Sequence, residues 1–492
     1  MSKPLNVLFV TSEVEPFIKT GGLADVSASL PQTIKELGHE IRIAAPRYGS
    51  ISERKFKIHD VIRLKEIGVP VGERVKMANV NSSFIANTKA KVQVYFIANK
   101  EFFGRHGIYV SPETKKDYAD NDERFIFFSR SVLETLKRLG WKPDVIHCND
   151  WQTGLIPAYV KTIYSNDPFY KNIKTVFTIH NLAYQGIFPA SSFKKTGLPD
   201  SVFTPDGLEF YEKMNFMKAG LVYSDVITTV SEKYAEEIRT SAEYGCGLEG
   251  VIQKRRQHLH GIVNGIDYEI WNPQTDTVIP VRYDVHTIEG KVENKKALLK
   301  KFNLEFKEHI PVIGMISRLV DQKGLDLIEE ISDEMLKTDV KFVLLGAGEK
   351  QYQDFFESLH KKHPSKVGVY FGYSEEIAHL IEAGSDMYLM PSKYEPCGLN
   401  QLYSLKYGTV PIVRATGGLE DTIVDADSAA SGTGFKFKKY DAKELLKAIH
   451  RALKLYHDHG TWKKIMQNGM VQDFSWEASA KQYASLYRTL VK

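Results

Sequence analysis

Short apolar runs alternate with helix-period stretches along nearly the whole chain, and no other feature restricts the fold as strongly. Residues 7–10, 41–45, 92–97, 144–148, 175–179 and 226–230 read as strands in the first half. Between them the pattern changes period. A helix is predicted over about 23–37, and Phe125, Phe128, Val132, Leu133 and Leu136 mark one face of another that Gly140 ends. Ser231 is placed to cap the helix after the strand at 226–230. Strand, helix, strand in steady succession is the pattern of parallel sheets covered by helices.

The rhythm pauses near Ile262, where Asn264-Gly265 signals a turn and the stretch to about Asp284 contains proline and little periodicity. A second set of strands follows at 312–317, 343–345, 368–371, 387–390 and 410–413, and an amphipathic helix over 476–490 closes the chain. With 492 residues, two or three domains are expected. The domain joint is placed at the pause, so that each half carries its own doubly wound α/β sheet.

Composition excludes several classes. The net charge is only +4 with both signs interspersed, which speaks against a nucleic-acid partner while allowing local basic pockets. The three cysteines, Cys148, Cys246 and Cys397, form no C-x-x-C pair, so a disulfide framework or structural zinc is not expected and a reducing, cytoplasmic setting fits. No apolar run reaches signal-sequence or membrane-spanning length, so no membrane partner is expected.

Chemistry-bearing residues gather where strands end. Lys19-Thr20-Gly21-Gly22 opens the first helix, where bare backbone and a helix start suit an anion. A distant echo, Thr416-Gly417-Gly418, opens a helix in the second half. Arg318 and Lys323 leave one strand-to-helix loop turned by Gly324, and two cations there suit a diphosphate. Glu395 stands in a proline-rich loop, Pro391 to Leu399, between a strand and a helix predicted over 401–407. There it accepts hydroxyl protons from a polyol or caps a neighbouring helix. His180 ends another strand. Asp150 beside Trp151 reads either as a helix cap or as a sugar contact, with the indole as a flat apolar face. Gly346-Ala347-Gly348 begins a dinucleotide fingerprint that Gln351 leaves incomplete. There is no HExxH and no clustered His/Cys set. Asp120-x-Asp122 and Asp425-x-Asp427 are the only paired carboxylates weighed as metal ligands, and neither directly follows a strand.

Five segments in this order resemble the bacterial glycogen synthases, the group related to plant starch synthases: KTGGLADV from Lys19, HNLAYQG from His180, SRLVDQKGLD from Ser317, PSKYEPCGLNQLYSLKYG from Pro391 and TGGLEDT from Thr416. The resemblance covers essentially the whole chain. It implies a glycosyltransferase B-type fold of two facing Rossmann-like domains with a deep cleft between them. Residues 1–262 form the acceptor and catalytic domain, 263–475 the nucleotide-sugar domain, and 476–492 a helix crossing back onto the first. It also implies transfer of glucose from ADP-glucose to the non-reducing end of an α-1,4-glucan with retained configuration and without a metal or other cofactor.

Roles follow by position. The resemblance implies that His180 meets the donor sugar, Arg318 and Lys323 clamp the diphosphate, and Glu395 holds sugar hydroxyls with Cys397 beside it. Lys19, Gly21 and Gly22 would meet the donor from the other domain, and Glu13 and Asp150 would line the sugar and acceptor side. Gly417 and Gly418 would receive phosphate, Tyr373 would lie near the adenine, and Asn264 and Thr416 are counted among the substrate-binding positions. Tyr403 stands where many retaining transferases of this fold carry a second glutamate, which leaves the ribose contact unassigned. The alternatives are another nucleotide-sugar enzyme of the same fold, such as a sucrose-type synthase or an epimerase, and a non-catalytic glucan- or nucleotide-binding regulator.

Overall fold

The alternation builds two separate doubly wound sheets. The structure, a computed structural model, describes residues 3–427 and 430–492. The first unit comprises the chain up to Val230, Ala235–Gly265 and Trp476–Lys492; the second comprises Ser231–Tyr234 and Ile266–Ser475.

In the first unit, strands β1 (Asn6–Val10), β2 (Glu40–Pro46), β3 (His59–Asp60), β4 (Ile67–Val71), β5 (Arg74–Ala86), β6 (Lys91–Ala98), β7 (Val145–Asn149) and β8 (Lys174–Ile179) are followed by a three-stranded sheet. That small sheet contains β9 (Ile187–Pro189), β10 (Glu209–Phe210) and β11 (Lys213–Asn215), and β12 (Val226–Thr229) and β13 (Leu259–Gly261) return to the main one. The main order is β13-β12-β8-β7-β1-β2-β6-β5-β3, with β4 pairing β5. From β13 to β6 the pairing is parallel; β5 turns antiparallel against β6. The order reverses between β1 and β7, and an open sheet of this kind binds ligands beyond the strand ends at that reversal.

The helix Trp476–Val491 belongs to this unit and packs on the helix Gly22–Glu36. The Tyr487 hydroxyl bonds His147 Nδ1 at 2.6 Å, and the Ser479 hydroxyl donates to the Val263 carbonyl at 2.7 Å.

In the second unit, β14 (Val312–Leu319), β15 (Lys341–Gly348), β16 (Val367–Phe371), β17 (Met387–Met390), β18 (Val410–Arg414) and β19 (Phe435–Phe437) form an all-parallel sheet. Its order, β16-β15-β14-β17-β18-β19, is the 3-2-1-4-5-6 order of dinucleotide-binding sheets. Successive residues face opposite cores. Ile313, Leu344, Leu389 and Ile412 pack on one side with Leu327, Ile331 and Ile449, while Val312, Val343, Tyr388 and Val413 pack on the other with Leu298 and Ile381. Burial on both faces explains why these strands read as unbroken apolar runs.

Every strand expected from such runs is present, its ends displaced by a residue or a few. The strands the runs did not announce lie at the margins. β5 alternates buried and exposed positions and carries Arg74, Lys76, Asn79 and Asn81, because its sheet is antiparallel there. The Ser231 hydroxyl accepts from the Tyr234 N–H at 2.8 Å, the capping bond its position predicts. No helix among the described residues is long and apolar enough to cross a membrane.

Candidate active site

Chain reversal and strand divergence together open a crevice in the second unit. β14 pairs with β17 only at Ile313 and Gly314. Beyond that point the Tyr388 side chain replaces the missing partner. Its hydroxyl donates to the Ile316 carbonyl at 2.8 Å and accepts from the Ile316 N–H at 3.0 Å and from Asn400 Nδ2 at 2.6 Å. A strand edge buried without partners would be costly, so this hydroxyl lets the two strand ends part. The resulting cavity has a volume of about 340 Å³ and is lined by Arg318, Lys323, Gly346, Tyr373, Ser392 and Asn400 among others.

The loop after β14 supplies cations and the loop after β17 supplies an acid. Lys323 Nζ donates to Glu395 Oε2 at 2.7 Å, and the Ser392 hydroxyl donates to the same oxygen at 2.9 Å. The Glu395 carboxylate is buried, and the Lys323 side chain is half-buried. Glu395 therefore caps no helix; it is held at the crevice by groups that compensate its charge. The loops are further joined by the Lys393 N–H to the Gln322 carbonyl at 2.9 Å and by Gln322 Nε2 to the Tyr394 carbonyl at 3.2 Å. Arg318 is exposed in the cavity, and its guanidinium has no hydrogen bond or ion pair among the described residues. Tyr373, 77% exposed, stands at the cavity wall. Cys397 is buried, and its carbonyl accepts from Gln401 Nε2 at 3.0 Å.

The two glycine pairs differ in what they do. A Cβ on Gly417 would lie 2.0 Å from the Glu395 carbonyl oxygen, and one on Gly418 2.0 Å from that of Cys397. The Gly418 N–H is shared between the Glu395 and Pro396 carbonyls at 3.1 Å each. These glycines, after the buried Thr416, let a helix start press on the Glu395 loop. Gly21, by contrast, faces open space: a Cβ there meets nothing within 4 Å. The echo in sequence therefore has two physical causes, packing in one unit and accessibility in the other.

In the first unit the loops after β1, β7 and β8 carry the expected residues. Glu13 is buried, and its carboxylate accepts from the Thr20 N–H and hydroxyl, each at 2.5 Å, and from the Tyr109 hydroxyl at 2.7 Å. It thus fixes the Lys19–Gly22 segment. Lys19 itself pairs with Asp25 at 2.6 Å on the surface. Thr20, read in the sequence only as part of the glycine motif, and Tyr109, which is not singled out there, complete this bracket.

Asp150 makes no capping bond to the turn it precedes. Its Oδ1 accepts from the His180 N–H at 2.8 Å, so it ties the end of β7 to the end of β8. Its backbone sits at φ 55° and ψ 179°, a region a non-glycine residue occupies only when its surroundings enforce it. Burial pushes its carboxyl up to about 7, against the two backbone donors of His180 and Asn181. Trp151 offers no flat face to a sugar. It is 9% exposed and packs among Phe125, Phe188 and Phe216, and Gly186 is close enough that a Cβ there would lie 2.4 Å from the indole. A tryptophan beside a strand-end acid went into the core because four aromatic neighbours, these three and Tyr109, enclose it.

Burial pushes His180 down to about 3, so its ring is neutral. Asn149 Nδ2 donates to the Val10 carbonyl at 2.9 Å, which leaves Asn149 Oδ1 to accept from His180 Nε2 at 2.9 Å. That network assigns the proton to Nε2 and leaves Nδ1 as an acceptor. Asn264 is buried with its Oδ1 unpartnered.

Tyr403 is part of a stack. Its ring lies 4.0 Å from that of Trp271 at 11°, and Trp271 lies 4.0 Å from His379 at 12°. Asp120 is gripped by Arg105 at 2.5 and 2.7 Å and Asp122 by Lys195 at 2.8 Å, while Arg451 holds Asp425 at 2.6 Å and also pairs with Asp427. All four carboxylates weighed as metal ligands are thus engaged with basic side chains.

Residues 6–254 match the family described as "Starch synthase catalytic domain", and residues 298–469 match "Glycosyl transferases group 1". The chain is 48% identical to the glycogen synthase of Desulforudis audaxviator, over 99% of this chain and 96% of that one. It is 45% identical to the glycogen synthase of Thermotoga maritima, over 98% of each. Among solved structures, the catalytic domain of starch synthase IV from Arabidopsis thaliana bound to ADP and acarbose superposes with a TM-score of 0.88 at 33% identity, covering 99% of this chain and 100% of that one. Sucrose-phosphate synthase from Thermosynechococcus elongatus shares the fold at a TM-score of 0.59 and 16% identity over 99% of both chains.

Proposed function

The chain belongs to the glycogen and starch synthase family of glycosyltransferases, and from that premise we propose that it moves glucose from ADP-glucose to the non-reducing 4-hydroxyl of an α-1,4-glucan, retaining the anomeric configuration. One observation carries the reading: an unpaired Arg318, a half-buried Lys323 and a compensated Glu395 converge on one crevice where the strand order reverses. The ADP and acarbose bound to the starch synthase relative, a nucleotide diphosphate and an oligosaccharide analogue, are the two ligand chemistries this reading requires.

Cleavage of the glucose–phosphate bond places positive charge on the sugar and negative charge on the departing diphosphate. Arg318 and Lys323 answer the second charge, Arg318 as a bidentate donor and Lys323 as a point charge. Glu395 accepts protons from sugar hydroxyls while Ser392 keeps it oriented. Tyr373 lies against the adenine, and Thr416 and Gly417 fix the helix start beside the Glu395 loop. From the first unit, neutral His180 offers Nδ1 to a hydroxyl of the donor glucose. Asp150 keeps the His180 backbone in place, and Lys19 with the open Gly21–Gly22 backbone meets the donor. The acceptor oxygen attacks from the face the diphosphate leaves, and the departing phosphate takes the acceptor's proton. No carboxylate is assigned as a covalent nucleophile.

The test is incubation with ADP-glucose or UDP-glucose and a maltooligosaccharide, followed by sizing of the products. Stepwise lengthening with ADP-glucose is expected. Formation of a disaccharide from a free monosaccharide acceptor, or no turnover of either donor, would contradict the reading.

A further inference from the structure

The small sheet of the first unit has no part in the chemistry above, yet it continues the His180 loop. β9 pairs with β11 at Ile187 with Asn215 and Phe188 with Met214, and β10 and β11 form a hairpin whose tip is Tyr211-Glu212. Tyr211 at φ 49° and Glu212 at φ 63° are both left-handed. A two-residue turn of this hand ordinarily takes Asn-Gly, and a ring-bearing side chain there is disfavoured. The Tyr211 ring is nevertheless 76% exposed, touching Phe210 edge-on at 4.7 Å. Packing therefore does not explain a tyrosine at this position.

The hairpin is held rigid from below. Lys218 Nζ donates to the carbonyls of Pro205 and Glu209, and the Glu212 N–H donates to the Glu209 carboxylate at 2.7 Å. It is also joined to the His180 loop. Gln185 accepts from Asn215 Nδ2 at 2.6 Å and donates to the Cys246 carbonyl at 3.0 Å, while a Cβ on Gly247 would lie 2.9 Å from the Phe210 ring and 3.6 Å from that of Tyr211. Tyr184, beside Gln185, is 60% exposed. Two exposed tyrosines thus stand on one braced segment that starts at His180.

We propose that Tyr211 and Tyr184 form an aromatic platform for the glucan acceptor, binding glucose units on the reducing side of the one that is extended. This rests on the proposed function and adds where the growing chain lies. A pyranose presents a flat C–H face to an aromatic ring and hydroxyls at its rim, and a rigid tyrosine offers both stacking area and a polar tip. The exposed Glu212 carboxylate beside the ring accepts hydroxyl protons. Its neighbour Lys213 balances that charge, so an uncharged polymer fits better than an ionic one. An acceptor long enough to reach both the transfer point and the platform gains from both contacts, and a short one gains nothing.

The experiment compares the parent with Tyr211→Gly, Tyr184→Ala and the double variant at saturating ADP-glucose, using glycogen and maltotriose as acceptors. Glycine suits the left-handed turn, so Tyr211→Gly should keep or raise Tm. For the double variant, KM for glycogen should rise about tenfold, the factor that 1.4 kcal/mol of lost binding gives. KM for ADP-glucose, kcat and the maltotriose parameters should hold. An unchanged KM for glycogen in the folded double variant overturns the platform, as does an equal rise in KM for the donor. A shift from dimer to monomer in sedimentation with KM for glycogen unchanged would assign the patch to a contact between copies. If the parent transfers glucose to no glucan, the functional reading fails first. Calorimetric titration with maltoheptaose then decides the platform: binding by the parent that the double variant lacks supports it, and equal or absent binding refutes it.

Discussion

Asp150 combines a left-handed backbone, a buried carboxyl and two backbone donors, and each property has a measurable consequence. The carboxyl titrates near its usual low value in the unfolded chain and at about 7 in the folded one. Between about pH 4 and 7 the folded state therefore binds the extra proton, so stability falls as pH rises through that window and levels off above it. Asp150→Asn removes this titration. Its Tm relative to the parent should climb from pH 4 to 7, by on the order of a few kcal/mol of stability at most, and then stay flat. A difference that does not vary with pH would refute the assignment. Gly21 permits a cleaner test, because a methyl group there meets only open space. Gly21→Ala should leave Tm unchanged and lower kcat/KM for ADP-glucose by about tenfold or more if the backbone meets the donor. Arg318→Ala should cost on the order of 100- to 1,000-fold in kcat with the fold intact, since the side chain contributes nothing to packing. Near-normal turnover would remove it from the diphosphate.

Between elements, the Lys323–Glu395 pair couples the loops of β14 and β17 in a way neither loop explains alone. The carboxylate engages the cation that the proposed function gives to the diphosphate. Glu395→Gln should abolish transfer, because a neutral amide replaces the charged acceptor of the sugar hydroxyls, yet tighten ADP severalfold by releasing Lys323. Calorimetry showing weaker ADP binding in that variant would refute the coupling. Gly418→Ala should drive apart the helix start and the Glu395 loop, lowering both Tm and kcat, whereas a neutral effect would contradict the close contact. The same scale sets how much the sequence discloses. Strands buried on both faces announce themselves as apolar runs, which is why β1, β14 and β17, and so the loops at their ends, are legible. β5 is half exposed and β19 is three residues long, so periodicity carries no signal for either. The fate of Trp151 and the different duties of Gly21 and Gly418 depend on neighbours far along the chain, which spacing does not encode. Tyr109 and Tyr388 escaped for the same reason: each acts through one hydroxyl placed by tertiary packing.

For the molecule as a whole, two compact units should unfold in two calorimetric steps, and ADP should raise the one belonging to the second unit, whose loops carry Arg318 and Lys323. A single ligand-independent transition would contradict this. Removing the helix after Ser475 should destabilise the first unit alone, since it strips His147 of its bond to Tyr487 and uncovers the helix Gly22–Glu36. The return of that last helix to the first unit bears on how the protein is made. All but four residues of the second unit form one continuous stretch, Ile266–Ser475, whereas the first waits for Trp476–Lys492, translated after that stretch. On the ribosome, the lobe synthesised later is therefore the one that can finish folding first, and its predecessor must hold an open seam until the turns after Ser475 emerge from the exit tunnel.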